Sequence, residues 1–396
     1  MPHPRILIAC DKFKGSLTAA AACAAIGRGL ARHFPGAVLT EFPLADGGEG
    51  FAATLAGPLG GDWVTCPAHD ALGRPILARY LLAPDPAGPL AVMEMAEASG
   101  CWRIAPDERD ILRATTLGTG EMMRHAVVAS GANRIVLGLG GSATNDGGAG
   151  MAAALGGRFL DAAGHALDPS PGSLAGVLAS VDLADRLALP PVTVACDVTS
   201  PLLGPLGATR VFGPQKGADE ATIPVLESVL EALVRTTHGE FHASQPGAGA
   251  AGGLGFGLLH FAGAELVPGL ELIASLTGLE ALIAAADLVV TGEGSLDAQS
   301  LAGKGPVGIA RLARQHAKPV WAFCGIADDS ARTCGLFDHI GELAATGRPM
   351  EILLAQAAAL LEDLVAETPV AGLPGGCGRA WRLQTAATVA RSIAKN

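Results

Sequence analysis

Short apolar runs alternate with longer alanine-rich stretches along most of this chain. Arg5 to Cys10 (RILIAC) reads as a strand buried on both faces. The loop Asp11-Lys12-Phe13-Lys14-Gly15-Ser16 follows, and then a helix is predicted to about Phe34. Val38 to Leu44 reads as the next strand and leads into Asp46-Gly47-Gly48-Glu49-Gly50. From about Asp62 to Ala96 the character changes. Trp63 to Ala68, Pro75 to Ala83 and Leu90 to Met95 read as successive strands with few helices between them. Arg134 to Gly140 and Val192 to Cys196 are further strands, each running into a polar loop. Ala218 to Arg235 reads as an amphipathic helix, and Gly247 to Gly253 as a glycine-dense loop. Leu288 to Thr291 and Pro319 to Cys324 are strands on either side of a helix that follows Lys304. Met350 to Glu367 reads as helix, Thr368 to Gly378 as loop, and Arg379 to Lys395 as a closing helix.

Strand–loop–helix alternation at both ends implies a parallel sheet, and the strand-rich middle implies an insertion. The expected class is α/β with two α/β domains. One is a flavodoxin- or Rossmann-like parallel sheet formed by both chain ends, residues 1–75 with 286–396. The second is inserted between them, residues 76–285, and carries glycine-rich loops. The 396 residues are enough for two domains of ordinary size.

Charge narrows the partners. The formal net charge is −11 and no run of lysines or arginines occurs, so the basic stripe of a nucleic-acid-binding surface is missing. The eight cysteines are scattered, without C-x-x-C or zinc spacing. Free thiols in a reducing cytoplasm are the expectation. Asp11 and Lys12 interrupt the early apolar run, so no secretory signal is expected. The long uncharged stretch Phe241 to Ala264 is glycine-dense and contains Pro246, a poor membrane helix.

Five loops combine glycine with an acid or a lysine, or end a strand on an acid. They are Asp11 to Ser16, Asp46 to Gly50, Gly138 to Gly150, Asp197 to Pro201 and Gly292 to Asp297. In open α/β sheets ligands bind beyond the carboxyl ends of the strands. Glycine lets backbone N–H groups approach an anion, but a carboxylate among them repels a phosphate unless a divalent cation stands between. That combination points to magnesium–nucleotide chemistry. Lys14, Lys216 and Lys304 each adjoin a glycine and supply positive charge. Asp46, Glu49, Asp146, Asp197, Glu293 and Asp297 supply bases or metal ligands.

Other readings of these residues exist. A lysine in a glycine turn is often merely solvated, and Asp11, Ser16, Thr18 and Asp297 fit helix caps. Gly138-x-Gly140-x-x-Ala143 fits a dinucleotide fingerprint with Asp161 as the ribose acid. An NAD(P)-dependent hydroxy-acid oxidoreductase is therefore an alternative, as is a nucleotide-binding sensor without turnover. Against the fingerprint, polar Thr144-Asn145-Asp146 stands where an apolar helix should already run. The second match, Gly247-x-Gly249-x-x-Gly252, follows Pro246 with no preceding strand, and Gly303-Lys304 lacks the rest of a Walker motif.

As a set, the motifs resemble the bacterial glycerate kinase family of the first type. They are Asp11 to Leu17, Pro43 to Gly50, Gly140 to Gly150, Cys196-Asp197-Val198, Phe212 to Gly217 and Gly292 to Asp297, in order from residue 5 to about 345. The resemblance implies ATP-dependent phosphorylation of D-glycerate, usually at the 2-position, by a cytoplasmic enzyme of glycerate, glyoxylate or sugar-acid catabolism. ATP and Mg²⁺ are the expected cofactors. Nucleic acid and membrane are not expected partners, and the oligomeric state stays open between monomer and homodimer. The expected catalytic residues are Asp197, as base for the glycerate hydroxyl, with Lys14 and Lys216 on phosphates or the glycerate carboxylate. Glu293, Asp297 and Asp46 are the expected magnesium ligands. Ser16, Gly140, Gly141, Ser142, Asn145, Asp146, Gly147 and Lys304 are the expected nucleotide-binding set.

Overall fold

The computed structural model describes residues 3–45, 47–48, 50–298, 300–302 and 305–368. Asp46, Glu49 and Lys304, together with Cys377 and the helix expected over Arg379 to Lys395, lie outside the described residues. In chain order the strands are β1 (Arg5–Cys10), β2 (Val38–Glu41), β3 (Asp62–His69), β4 (Pro75–Ala83), β5 (Leu90–Glu94), β6 (Arg134–Gly138), β7 (Arg158–Leu160), β8 (Ser180–Asp182), β9 (Val192–Ala195), β10 (Glu265–Val267), β11 (Leu288–Leu296), β12 (Val320–Ala327) and β13 (His339–Glu342). The chain divides into two compact units, one made of Met1–Ala45 with Gly278–Asn396, the other of Asp46–Thr277.

The first unit holds a five-stranded sheet in the order β13-β12-β11-β1-β2, every pair parallel. Counting only this unit's strands, the order is 2-1-3-4-5, the doubly wound flavodoxin arrangement, whose switch point lies between β1 and β11. Ile6, Ile8, Leu288, Val290 and Phe323 fill its core. The helix Ala19–His33 starts where the Thr18 hydroxyl accepts from Ala21 N at 3.2 Å, a side-chain N-cap. It buries Ala22, Cys23, Ile26 and Leu30, the spacing of one helix face. Gly29 on this helix lies against the helix Ala357–Glu367. A Cβ there would stand 2.5 Å from the Glu362 carbonyl oxygen and 2.7 Å from Val365 Cβ. Arg28 pairs with Glu362 at 2.6 Å and Arg32 with Asp363 at 2.8 Å beside that contact.

β11 runs past its expected end at Thr291 as far as Leu296. Its parallel register with β12 continues to Leu296 opposite Ala327, so ladder pairing overrides the weak strand preference of Gly292 and Gly294. The predicted run Met350 to Glu367 is two helices, Met350–Ala355 and Ala357–Glu367, parted at Gln356.

The second unit holds a six-stranded sheet in the order β10-β9-β6-β5-β4-β3. β10, β9, β6 and β5 are parallel, while β4 and β3 pair antiparallel at one end. β3 pairs with β4 along its whole length, from Asp62 opposite Leu82 to His69 opposite Pro75. The first boundary therefore falls at Ala45 rather than at the expected 75, because a boundary at 75 would split a hairpin. Tyr80, Met93, Leu137, Val194, Phe256 and Phe261 form the buried centre of this unit. The predicted loop Gly247 to Gly253 is in part a helix start, Ala250–Phe261, with Ala251, Gly252 and Gly253 all at positive φ. Among the described residues no helix is long and apolar enough to cross a membrane. The seven described cysteines form no disulfide, and Cys10, Cys23, Cys66 and Cys324 are buried.

Candidate active site

In the second unit the loop after β6 is built against three other loops. Gly140 N donates to Gly47 O at 3.1 Å, and a Cβ on Gly138 or Gly140 would overlap the backbone of Gly47 or Gly48. Glu94, at the end of β5, holds the same segment by accepting from Gly50 N at 3.1 Å and Ala52 N at 2.8 Å. On the other side, Gly147 N donates to Gly252 O at 3.1 Å. A Cβ on Gly252 would overlap the Thr144 carbonyl, so only glycine lets these two loops touch. Gly249 N donates to Ser200 O at 2.9 Å, joining the loop after β9 to the same assembly.

Lys216 reaches into this assembly from the turn Pro214–Lys216. It is 2 % exposed. Its Nζ donates to Ser142 Oγ at 2.7 Å and to the Thr144 carbonyl at 2.8 Å. Both acceptors are neutral. Burial pulls the Lys216 ammonium down to about 8, against the neighbouring Cys101 and Asp146, which favour the charged form. A lysine that is merely solvated is not buried, so the bland reading of Lys216 fails.

Asp146 is fully buried and organises the loop. Its Oδ2 accepts from Thr116 N at 2.7 Å, Thr116 Oγ1 at 2.8 Å and Gly150 N at 3.0 Å, and its Oδ1 from Gly148 N at 3.1 Å. Burial raises its carboxyl, opposed by these bonds. Asn145 Nδ2 donates to Thr209 Oγ1 at 2.9 Å, while Asn145 Oδ1 is buried with no partner among the described residues. Gly141 and Gly147 take positive φ, and Gly141 O accepts from Cys101 N at 2.8 Å. Asp197 follows β9 directly, half-buried, and its Oδ1 accepts from Gly269 N at 2.9 Å, which fixes the carboxylate against the helix Gly269–Thr277.

The helix after β6 begins only at Ala149. In a dinucleotide turn the fingerprint glycines open the helix, whereas Gly138 to Ala143 lie well short of it. The oxidoreductase reading loses its main support here.

In the first unit the loop after β1 lies against the second half of β11 at the switch point. Asp11 N donates to Gly292 O at 2.8 Å, and a Cβ on Gly294 would be 3.1 Å from Lys14 N. Lys14 is exposed. Ser16 closes the turn by donating to Phe13 O at 3.1 Å. Burial pushes the Glu293 carboxyl up to about 7; the nearby Ser300 hydroxyl opposes this, and the charges of Asp11 and Asp297 add to it. Glu293 Oε1 is buried with no hydrogen-bond partner among the described residues. Asp297 accepts from Ser295 Oγ at 3.1 Å and from Ser300 N at 3.3 Å, so it also caps the turn Ser300–Ala302. No group of three or more His, Cys, Asp or Glu among the described residues is placed to hold a metal by protein ligands alone. Magnesium needs only one or two carboxylates, its remaining ligands being water and phosphate. Glu293 and Asp297 are the carboxylates available here, and the orphaned Glu293 oxygen is the kind of atom a cation satisfies.

Sequence reasoning missed Thr116, Glu94 and Arg109. Thr116 and Glu94 act through the backbone they hold. Arg109 Nη1 donates to the Gln215 carbonyl at 3.3 Å, next to Lys216, while its Nε is buried without an acceptor among the described residues.

The glycerate kinase family model matches residues 6–371 of this chain. A glycerate kinase of Bacillus subtilis (strain 168) is 44% identical over 333 residues, covering 82% of this chain and 86% of that protein. The glycerate 2-kinase of Escherichia coli (strain K12) is 43% identical over 335 residues, with 82% and 86% covered. A crystal structure from Salmonella typhimurium LT2, assigned to glycerate kinase 2, superposes with a TM-score of 0.78 at 37% identity, covering 98% of this chain and 100% of that one.

Proposed function

This chain belongs to the glycerate kinase family, and we propose that it transfers the γ-phosphoryl group of ATP to the 2-hydroxyl of D-glycerate. The observation that carries the reading is the buried Lys216, held by two neutral acceptors inside the glycine loop after β6. A buried ammonium that is hydrogen-bonded only to neutral groups keeps its charge for an anion that comes and goes.

Phosphoryl transfer asks the protein for positioning and charge rather than covalent chemistry. Lys216 and Ser142 hold the acceptor in the second unit. Asp197, oriented by Gly269 N, takes the proton from the attacking hydroxyl. In the first unit Lys14 meets the nucleotide phosphates, and Glu293 and Asp297 would hold magnesium. The bound ion supplies charge neutralisation on the phosphoryl oxygens. Asp146 serves the reaction indirectly, by fixing the loop that carries Ser142, Thr144 and Asn145. The backbone of Gly140, Gly141 and Gly147 is shaped to admit a ligand at short range. We assign the enzyme to the cytoplasm, where ATP is supplied and where unbridged thiols such as Cys10 and Cys23 persist.

The test is ADP formation on mixing the protein with MgATP and D-glycerate. Expected is turnover that needs all three. ADP formation indifferent to D-glycerate would remove the assignment, and a nicotinamide absorbance change with a hydroxy acid would restore the oxidoreductase.

A further inference from the structure

Arg109 lies in the charged turn Asp107-Glu108-Arg109-Asp110, which reads as ordinary solvated surface. Its environment is different. Nη1 donates to Gln215 O at 3.3 Å. A Cβ on Gly217, which has φ +100°, would stand 3.8 Å from both Arg109 Cβ and Arg109 O. The arginine thus donates to the residue before Lys216 and lies near the glycine after it. Nε is buried and has no acceptor among the described residues. A guanidinium with an unfilled buried N–H is costly, because the desolvation of that donor is not repaid. Among the described residues neither Arg109 nor Lys216 is hydrogen-bonded to a carboxylate, although Asp146 lies near enough to favour the Lys216 charge. Arg109 thus adjoins the turn that carries the buried Lys216, in a chain of formal net charge −11.

We propose that Arg109 is a substrate-binding residue that recognises the carboxylate of the hydroxy-acid acceptor, with Lys216 as its neighbour. With Nη1 turned to Gln215 and Nε without an acceptor among the described residues, the Nε–Nη2 edge is the one a ligand would meet. That edge presents two parallel donors and matches a carboxylate in two-point fashion. A phosphate could use the same edge. The carboxylate is favoured because Asp146 lies near enough to act on the Lys216 charge, and an acid beside a polyphosphate needs a cation between them, whereas a single carboxylate brings only one charge. The inference rests on the glycerate kinase reading for the identity of the acid, and on Arg109 itself for the preference for an acid.

The experiment compares wild type with Arg109→Gln and Arg109→Lys. Each is assayed with D-glycerate and with its uncharged amide, D-glyceramide, varying ATP separately, and each is checked by thermal melting. Loss of a charged, two-point contact raises KM for D-glycerate roughly 10- to 100-fold in Arg109→Gln while KM for ATP stays within about twofold. The wild-type preference for D-glycerate over D-glyceramide shrinks by the same factor. Arg109→Lys, which keeps charge but loses the fork, falls between and stands in if the glutamine variant does not fold. An unchanged KM for D-glycerate, or an unchanged acid-over-amide preference, overturns the proposal. A rise in KM for ATP instead assigns Arg109 to the nucleotide and overturns it too. If wild type ignores D-glycerate but phosphorylates another hydroxy acid, the kinase assignment needs revision, and the same comparison on that acid and its amide still decides the role of Arg109.

Discussion

Lys216 Nζ stands 2.7 Å from Ser142 Oγ although 74 positions of chain separate the two residues. The contact joins the turn Pro214–Lys216 to the loop after β6. Because burial holds the ammonium near 8 rather than in the usual lysine range, its charge is present below that value and lost above it. If the charge binds the acceptor, KM for D-glycerate stays flat from pH 6 to about 7.5. It then rises, by up to about tenfold per unit, above pH 8. Lys216→Arg, which stays charged, flattens that alkaline limb. A KM independent of pH between 7 and 9.5 in wild type would separate Lys216 from acceptor binding. The stability sign runs the other way: a lysine with a lowered folded-state value destabilises the fold while charged, so this penalty fades as pH rises through 8.

Gly252 has φ +68° and no room for a side chain against the Thr144 carbonyl, one of the two acceptors of Lys216. Gly252→Ala displaces that carbonyl and lowers kcat/KM by roughly 10²-fold, the cost of a misplacement of about 1 Å at a reacting centre. Gly263→Ala is the matched control, since Gly263 also has positive φ (+64°) but open space around it. Equal activities in the two variants would show that the second glycine loop has no bearing on the site.

Asp197→Asn keeps the bond from Gly269 N, because an amide oxygen also accepts, and removes the base. Turnover falls by roughly 10²- to 10⁴-fold with an unchanged melting temperature. Near-normal turnover transfers the role of base elsewhere.

Glu293→Gln and Asp297→Asn address the first unit. Each weakens the calorimetrically measured binding of Mg²⁺ in the presence of ADP by roughly tenfold or more, and raises the Mg²⁺ concentration for half-maximal turnover in step. Unaltered Mg²⁺ binding in both variants would make the pair a structural feature of the Ser300–Ala302 turn.

Gly29→Ala tests the fold rather than the site. The added methyl meets Glu362 O and Val365 across the two helices, and overpacking of this kind costs about 1–3 kcal/mol. Urea unfolding shows the loss in the midpoint. A gain in stability, as expected from helix propensity alone, would mean that the helices do not touch there.

The strands around both candidate sites were legible because they are short apolar runs that end on glycine and acid, as in Arg5 to Asp11 and Arg134 to Asp146. Periodicity could not say to which sheet Asp62–His69 belongs, since that depends on pairing with Pro75–Ala83. Nor could it extend β11 through Gly292 and Gly294, where ladder pairing decides. The role of Asp146 as the internal anchor of its loop depends on Thr116, thirty positions earlier, and no local pattern links the two. Arg109 was hidden for a related reason. A single arginine among Asp107, Glu108 and Asp110 looks solvated until the fold brings Gln215 and Gly217 against it.

The central claim is phosphoryl transfer to the 2-hydroxyl of D-glycerate, and the phosphorus NMR spectrum of the product tests it most directly. A phosphate on C2 is coupled to one carbon-bound proton and gives a doublet; on C3 it is coupled to two and gives a triplet. The account predicts a new ester doublet that grows as the ATP resonances decline. A triplet contradicts the assigned hydroxyl, and the absence of any new phosphate ester contradicts the function.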